Sequence, residues 1–143
     1  METLKNYWQN YISAYQGLSS ATWLLALVMF INQSGSMVLP FLGVYMTTVL
    51  DFSIKNAGIV LSTFGLGSIL GSFVGGWLTD KFGSYKIQGF SLFCSIPFYL
   101  LLLVFNTFET LCISIFFLSF VKELFRPANS ASVSFYAKPE NIT

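Results

Sequence analysis

The sequence predicts an all-α fold of the polytopic membrane kind, four transmembrane helices long, and three observations lead there. Of its 143 residues 55% are hydrophobic and only 9% are charged, whereas a soluble domain carries ~25% charged residues. Mean hydropathy is +0.69. Charge is also absent over long tracts: none lies between Lys5 and Asp51, between Lys55 and Asp80, or between Lys86 and Glu109. Each tract exceeds the roughly 20 apolar residues that cross a bilayer core.

The elements follow in chain order. Residues 1–20 are polar and aromatic, with Leu4, Trp8, Tyr11 and Tyr15 at three- and four-residue spacing. That spacing predicts a short interfacial helix on the cytoplasmic side, with its rings at the headgroup level. From Ala21 the apolar run passes signal-peptide length without an A-x-A-like site soon after it, so the first span is read as uncleaved. It covers 21–49 and is expected to be interrupted by the polar N-Q-S-G-S from Asn32 to Ser36 and by Pro40. The second span covers 57–79, with Asn56 expected as its N-cap. The third covers 87–105 and, after the polar N-T-F-E-T, the fourth covers 111–136. Together they make a membrane domain over 21–136, followed by a cytoplasmic tail over 137–143 read as truncated.

Orientation follows from Lys and Arg in the short loops. With the N-terminus inside, the inner segments hold Lys5, Lys81, Lys86 and Lys138, against Lys55 alone outside. Both termini are therefore expected in the cytoplasm of a bacterial inner membrane.

Composition also excludes. Net charge is +1 with no basic run, so nucleic acid is not a partner. Histidine is absent, and Cys94 and Cys112 fall singly in predicted spans, where cysteine behaves as a small apolar residue. No metal site, nucleophile–base pair, phosphate loop or cofactor site can be assembled, so the chain is not read as an enzyme.

Thr63, Gly67, Gly71, Gly75 and Thr79 recur every fourth residue and form one stripe along the second span. In lipid, small residues at this spacing let helix backbones approach and gain dispersion contact. The stripe predicts close helix packing, either static or as a sliding surface between two halves of a transporter.

The stretch G-W-L-T-D-K-F-G-S-Y-K, Gly76 to Lys86, resembles the loop signature of the major facilitator superfamily between its second and third spans. Gly76, Asp80, Lys81 and Gly83 match it in type and spacing, whereas Ser84 and Tyr85 stand where basic residues are usual and Lys86 follows one place later. G-S-M-V-L-P from Gly35 and L-F-R-P-A-N-S-A from Leu124 resemble the family's drug:proton antiporter branch. The resemblance implies a secondary transporter, with proton-coupled efflux of a small molecule. It also implies a conformational latch: Gly76 packs on a helix of the other half, Asp80 sits at that helix's N-terminus, Lys81 faces its own helix's C-terminal pole, and Gly83 makes the turn.

Lys122, Glu123 and Arg126 are the only charges in the fourth span. Only Leu111 to Val121 precede them, too few residues to cross alone, so the span must continue past them and hold all three near mid-depth. Intramembrane charges are costly, face cavities and mark function. Glu123 and Arg126, three apart, are expected to pair on one face, and Lys122 leaves a surplus cation. Glu123 is the candidate proton-coupling carboxylate, the three together the candidate substrate site, and Pro127 a candidate hinge.

A major facilitator protein has twelve spans in two halves with the site between them. The chain is therefore read as an N-terminal four-helix part whose partners are the lipid bilayer, protons, a small-molecule substrate, and the missing helices or a second chain. Two alternatives are a small four-span multidrug transporter acting as a dimer and a non-transporting membrane interaction protein. The first uses a first-span glutamate, where this chain offers only Asn32 and Gln33.

Overall fold

A backbone in lipid must satisfy its own hydrogen bonds, and without a closed barrel only helices do so. The computed structural model describes residues 20–136, and among them no strand occurs. The elements are α1 (Ser20–Ser34), a 3-10 turn (Gly35–Met37), α2 (Val38–Thr48), α3 (Ile54–Phe82), α4 (Ser84–Val104), α5 (Phe108–Glu123) and α6 (Phe125–Tyr136). The expected helix on Leu4, Trp8, Tyr11 and Tyr15 and the tail over 137–143 lie outside the described residues, as do Lys5 and Lys138.

Three stretches are long and apolar enough to cross a membrane: Ser20–Thr48, Ile54–Phe82 and Ser84–Val104. The first is interrupted within the expected N-Q-S-G-S stretch, but only slightly and not by Pro40. The chain tightens to a single 3-10 turn at Gly35–Met37, and Pro40 falls in the first turn of α2, where α2's own ladder makes no demand on its missing N–H. The second starts earlier than expected, because its cap is Ser53 rather than Asn56. Ser53 is extended, and its hydroxyl accepts the Asn56 N–H at 3.2 Å; Asn56 is the capped residue, not the cap. The fourth segment is not one helix. It parts at Leu124, because Pro127 has no N–H for the Glu123 carbonyl and its ring crowds that oxygen. Leu124 keeps helical dihedrals (φ −59°, ψ −28°), so the chain runs on in the same sense.

Short connections make successive segments antiparallel. One link is the turn after Thr48, where Asp51 is left-handed (φ 53°) and the Phe52 N–H bonds the Met46 carbonyl at 2.9 Å. Another is Gly83 alone, and the last is Phe105 to Thr107.

Of all helix pairs, α3 against α5 is the most extensive. Gly67, Gly71 and Gly75 are buried in that contact. A Cβ on Gly71 would stand 3.1 Å from Phe120 Cα, and one on Gly75 would stand 2.8 Å from Leu124 Cα and 2.9 Å from Pro127 Cγ. A Cβ on Gly67 would collide with Ser119 Oγ and the Phe116 carbonyl. Higher on the same stripe, Thr63 Oγ1 donates to the Cys112 carbonyl at 3.3 Å. Apolar packing flanks the middle of the bundle: Met46, Val60, Leu111 and Ile115 cluster near one end, and Ile87, Leu124 and Ala128 toward the other. Outward, Phe73 (78% exposed), Phe93 (76%) and Leu103 (78%) present the apolar surface that lipid covers.

The stripe predicts a sharp contrast between glycines. Gly71→Ala should destabilise the bundle by about 1–3 kcal/mol, because the methyl meets backbone that cannot turn aside. Gly65→Ala, whose methyl meets nothing within 4 Å, should be neutral or stabilising. Thermal unfolding of the two variants in detergent checks this; equal midpoints would remove the packing argument.

Candidate functional site

The last turn of α3 and the first of α4 bring the loop residues together. Thr79 continues the buried stripe, whereas Gly76 and Asp80 are rotated from it by one residue. A Cβ on Gly76 would meet nothing within 4 Å, and Asp80 is exposed, so α3 carries two stripes: one packed, one open. Gly83 closes α3, its N–H bonding the Thr79 carbonyl at 2.9 Å, and it starts α4 at φ 88° and ψ 148°, a conformation essentially confined to glycine. Lys81 lies in the last turn of α3, with Nζ 5.0 Å from the Trp77 ring centre and 5.5 Å from that of Phe82, a cation–π placement. Lys86 is exposed in the first turn of α4.

The second group lies about half way along 108–136, where α5 gives way to α6. Lys122 is 5% exposed and Glu123 16%. They line a cavity of about 230 Å³ between α1, α5 and α6, together with Asn32, Gln33, Arg126 and Asn129. Glu123 and Arg126 also border a more open space of about 430 Å³ with Ser68 and Ser72 of α3, where Ser68 Oγ has no partner among the described residues. Lys122 reaches a third space of about 280 Å³ between α1 and α4, beside Asn32 and Tyr99. Charged and amide side chains thus surround water-sized volume inside an apolar bundle.

The expected Glu123–Arg126 pair is replaced by another. Glu123 Oε1 lies 3.9 Å from Lys122 Nζ, and among the described residues no ion pair joins Glu123 to Arg126. Glu123 turns toward Lys122 while Arg126 stays exposed, so the two do not meet although the chain keeps its helical sense between them.

Residues of α4 that the charge pattern did not single out hold the break at Leu124 in place. Ser91 Oγ donates to the Val121 carbonyl at 2.8 Å and lies 3.3 Å from that of Lys122. Gln88 Nε2 donates to the Ala128 carbonyl at 3.1 Å and to Ser132 Oγ at 2.8 Å. Gln88, Ser91 and Ser95 stand at i, i+3 and i+7, all buried, a polar stripe in an apolar run that points to an interhelical role as directly as the glycines do. Asn129 was likewise missed; its Nδ2 contacts Met29 Sδ at 3.3 Å, and its Oδ1 has no partner among the described residues.

Comparisons with known proteins bear on the family of the chain. The Major Facilitator Superfamily family model matches residues 22–143. The chain is 35% identical over 105 residues to the Uncharacterized MFS-type transporter YqjV of Bacillus subtilis strain 168, covering 69% of this chain and 24% of that protein. It is 36% identical over 75 residues to the Probable galactarate/D-glucarate transporter GarP of Escherichia coli strain K12, covering 50% of this chain and 17% of that protein. The chain therefore spans about a quarter, or less, of the length of these relatives. No solved structure matches it. The relatives are named as transporters and not as enzymes, and neither name marks the drug:proton branch. With a family match over nearly its whole length and membrane-spanning helices that fit it, this integral membrane chain belongs to the major facilitator superfamily.

Proposed function

We propose that the chain forms the N-terminal membrane part of a secondary transporter that moves a small molecule against protons. Its seat is a bacterial inner membrane, with both termini in the cytoplasm. The observation that carries this reading is the Lys122–Glu123–Arg126 group facing cavities inside an apolar bundle. Charges at that depth are rare and costly, and facing a cavity they point to the handling of a solute or an ion. Alternating access needs a second half rocking against the first, and this chain does not itself contain twelve spans. The further helices come from residues outside this sequence or from another chain. Efflux as the direction rests on the resemblance of Gly35–Pro40 and Leu124–Ala131 to the drug:proton branch.

Within this reading, Glu123 takes and releases the coupling proton, and Arg126 and Lys122 face the solute. The open stripe of Gly76 and Asp80 is where a helix of the other half seats, with Asp80 at that helix's positive end. Lys81 and Lys86 anchor the turn at the anionic inner leaflet.

Three measurements test the parts separately. For orientation, cysteine is introduced after Cys94 and Cys112 are replaced by Ala. Cysteine at Asn106, exposed in the α4–α5 turn, should react with an impermeant thiol reagent from outside, and cysteine at Ser84 only after permeabilisation. The opposite pattern would invert the topology and take the latch with it.

For the latch, Asp80→Asn and Gly76→Leu in the full-length protein should leave membrane abundance unchanged and lower transport by about tenfold, the range of a typical coupling between states. Wild-type transport in both would leave only a well-capped turn.

For coupling, Glu123→Gln keeps shape and hydrogen bonding but cannot titrate. It should abolish pH-driven transport while solute binding persists. Arg126→Ala should also lower abundance, because it removes one of the two cations near Glu123. An unchanged pH profile in well-expressed Glu123→Gln protein would reduce the group to a structural ion pair.

A further inference from the structure

We propose that the cavity between α1, α5 and α6 holds an anionic solute of the carboxylate class, not the lipophilic cation that a drug-efflux transporter would take; the inference rests on the transport reading of that cavity. The first argument is charge. Among residues 20–136, α1, α2 and the interiors of α3 and α4 contribute no Asp, Glu, Lys or Arg at this depth. The charges that this part of the site contributes are Lys122 and Arg126 against Glu123, two cations to one anion. A surplus cation in a low-dielectric surround attracts an anion strongly and repels a cation by the same law.

The geometry leaves donors free for that anion. Lys122 Nζ is 3.9 Å from Glu123 Oε1, beyond the ~2.7–2.9 Å of a charge-assisted hydrogen bond, so the ammonium is near its partner without being committed to it. Arg126 is exposed on the cavity and makes no ion pair with Glu123; its planar fork suits two carboxylate oxygens at once. Asn32, Gln33 and Asn129 complete the wall with neutral amides. Asn129 is 4% exposed with Oδ1 unpartnered among the described residues, an acceptor that a hydroxyl or acid proton of the solute would satisfy. A buried acceptor is rarely left so without a ligand or water.

Glu123 is then a rival built into the site. Its charge competes with the solute for Lys122, and without that charge Lys122 is left to the solute. Carboxylate binding and Glu123 ionisation oppose each other, so removing the Glu123 charge strengthens binding while removing that of Arg126 weakens it. A structural ion pair has no such asymmetry, since loss of either partner then only destabilises.

The test is the thermal unfolding midpoint of the full-length protein in nanodiscs, titrated with D-gluconate, succinate, mannitol and tetraphenylphosphonium. At least one of the two carboxylates should raise the midpoint with a saturable dependence, and tetraphenylphosphonium should not. Glu123→Gln should tighten that response several-fold, and Arg126→Gln should weaken it by about tenfold or more, the scale of one charged hydrogen bond. Arg126→Lys, which keeps the charge but loses the fork, should retain part of the response; it also keeps the test decisive if Arg126→Gln folds poorly. Stabilisation by tetraphenylphosphonium that depends on Glu123 would overturn the anionic class and leave the transport cavity standing. Stabilisation by any probe that all three variants leave untouched would overturn both the class and the cavity. A midpoint unmoved by either carboxylate overturns the proposal.

Discussion

At Gly67, Gly71 and Gly75 the α3 backbone lies against the backbone of the α5–α6 segment with almost no side chain between them, and the other helices take their places from that contact. Lipid offers no hydrophobic reason for helices to associate, so what holds two of them together is the amount of surface they bring to van der Waals distance. Three glycines four apart give α3 a flat groove, and the Phe116–Pro127 stretch lies in it. That approach fixes the depth and rotation of the fourth segment. Lys122, Glu123 and Arg126 are then carried to the edge of the groove, facing α1 and the open side of α3 rather than lipid.

Polar chemistry in such a bundle needs support from every side. Apolar clusters lie above and below the charged level, one around Met46, Val60 and Ile115, the other around Ile87 and Ala128. Between them α4 contributes Gln88 and Ser91, which spend their donors on backbone carbonyls rather than on the charged side chains. The division of labour is physical. Neutral hydrogen bonds secure the backbone where a proline weakens it, and the Lys122–Glu123 charges stand 3.9 Å apart rather than in a direct hydrogen bond.

Much of this was legible in the sequence, and the reasons are specific. Charge-free tracts reveal helices because an exposed backbone group or charge in hydrocarbon is so costly, and the first three segments fall within a few residues of expectation. The α3 N-terminus slipped by three residues because Ser53 and Asn56 are both good caps, and only the extended dihedrals of Ser53 decide between them. The turn at Gly83 was expected only from the resemblance of Gly76 to Lys86; in the structure Gly83 is a one-residue junction at φ 88°, a backbone that glycine alone adopts easily. The ion pair was not readable. Spacing alone does not say which of two nearby cations a carboxylate turns to, and Glu123 turns to Lys122. Asn129 and Ser91 escaped because a neutral polar residue in an apolar run carries no sign of what it will face until the helices are docked.

Pro127 explains why charge and weakness share one segment. Without its N–H the Glu123 carbonyl loses its helical partner, so the ladder lacks a bond just where the carboxylate sits. Ser91 braces the neighbouring carbonyls of Val121 and Lys122 from α4, and Gln88 braces Ala128 beyond the break, leaving the Glu123 carbonyl between two held points. Gly75 packs against Leu124 and Pro127, so any bend there moves the segment along the lower part of the glycine groove, toward the end of α3 that carries Asp80 and Gly83. At Gly75 those contacts leave no slack between the Pro127 segment and the α3 backbone.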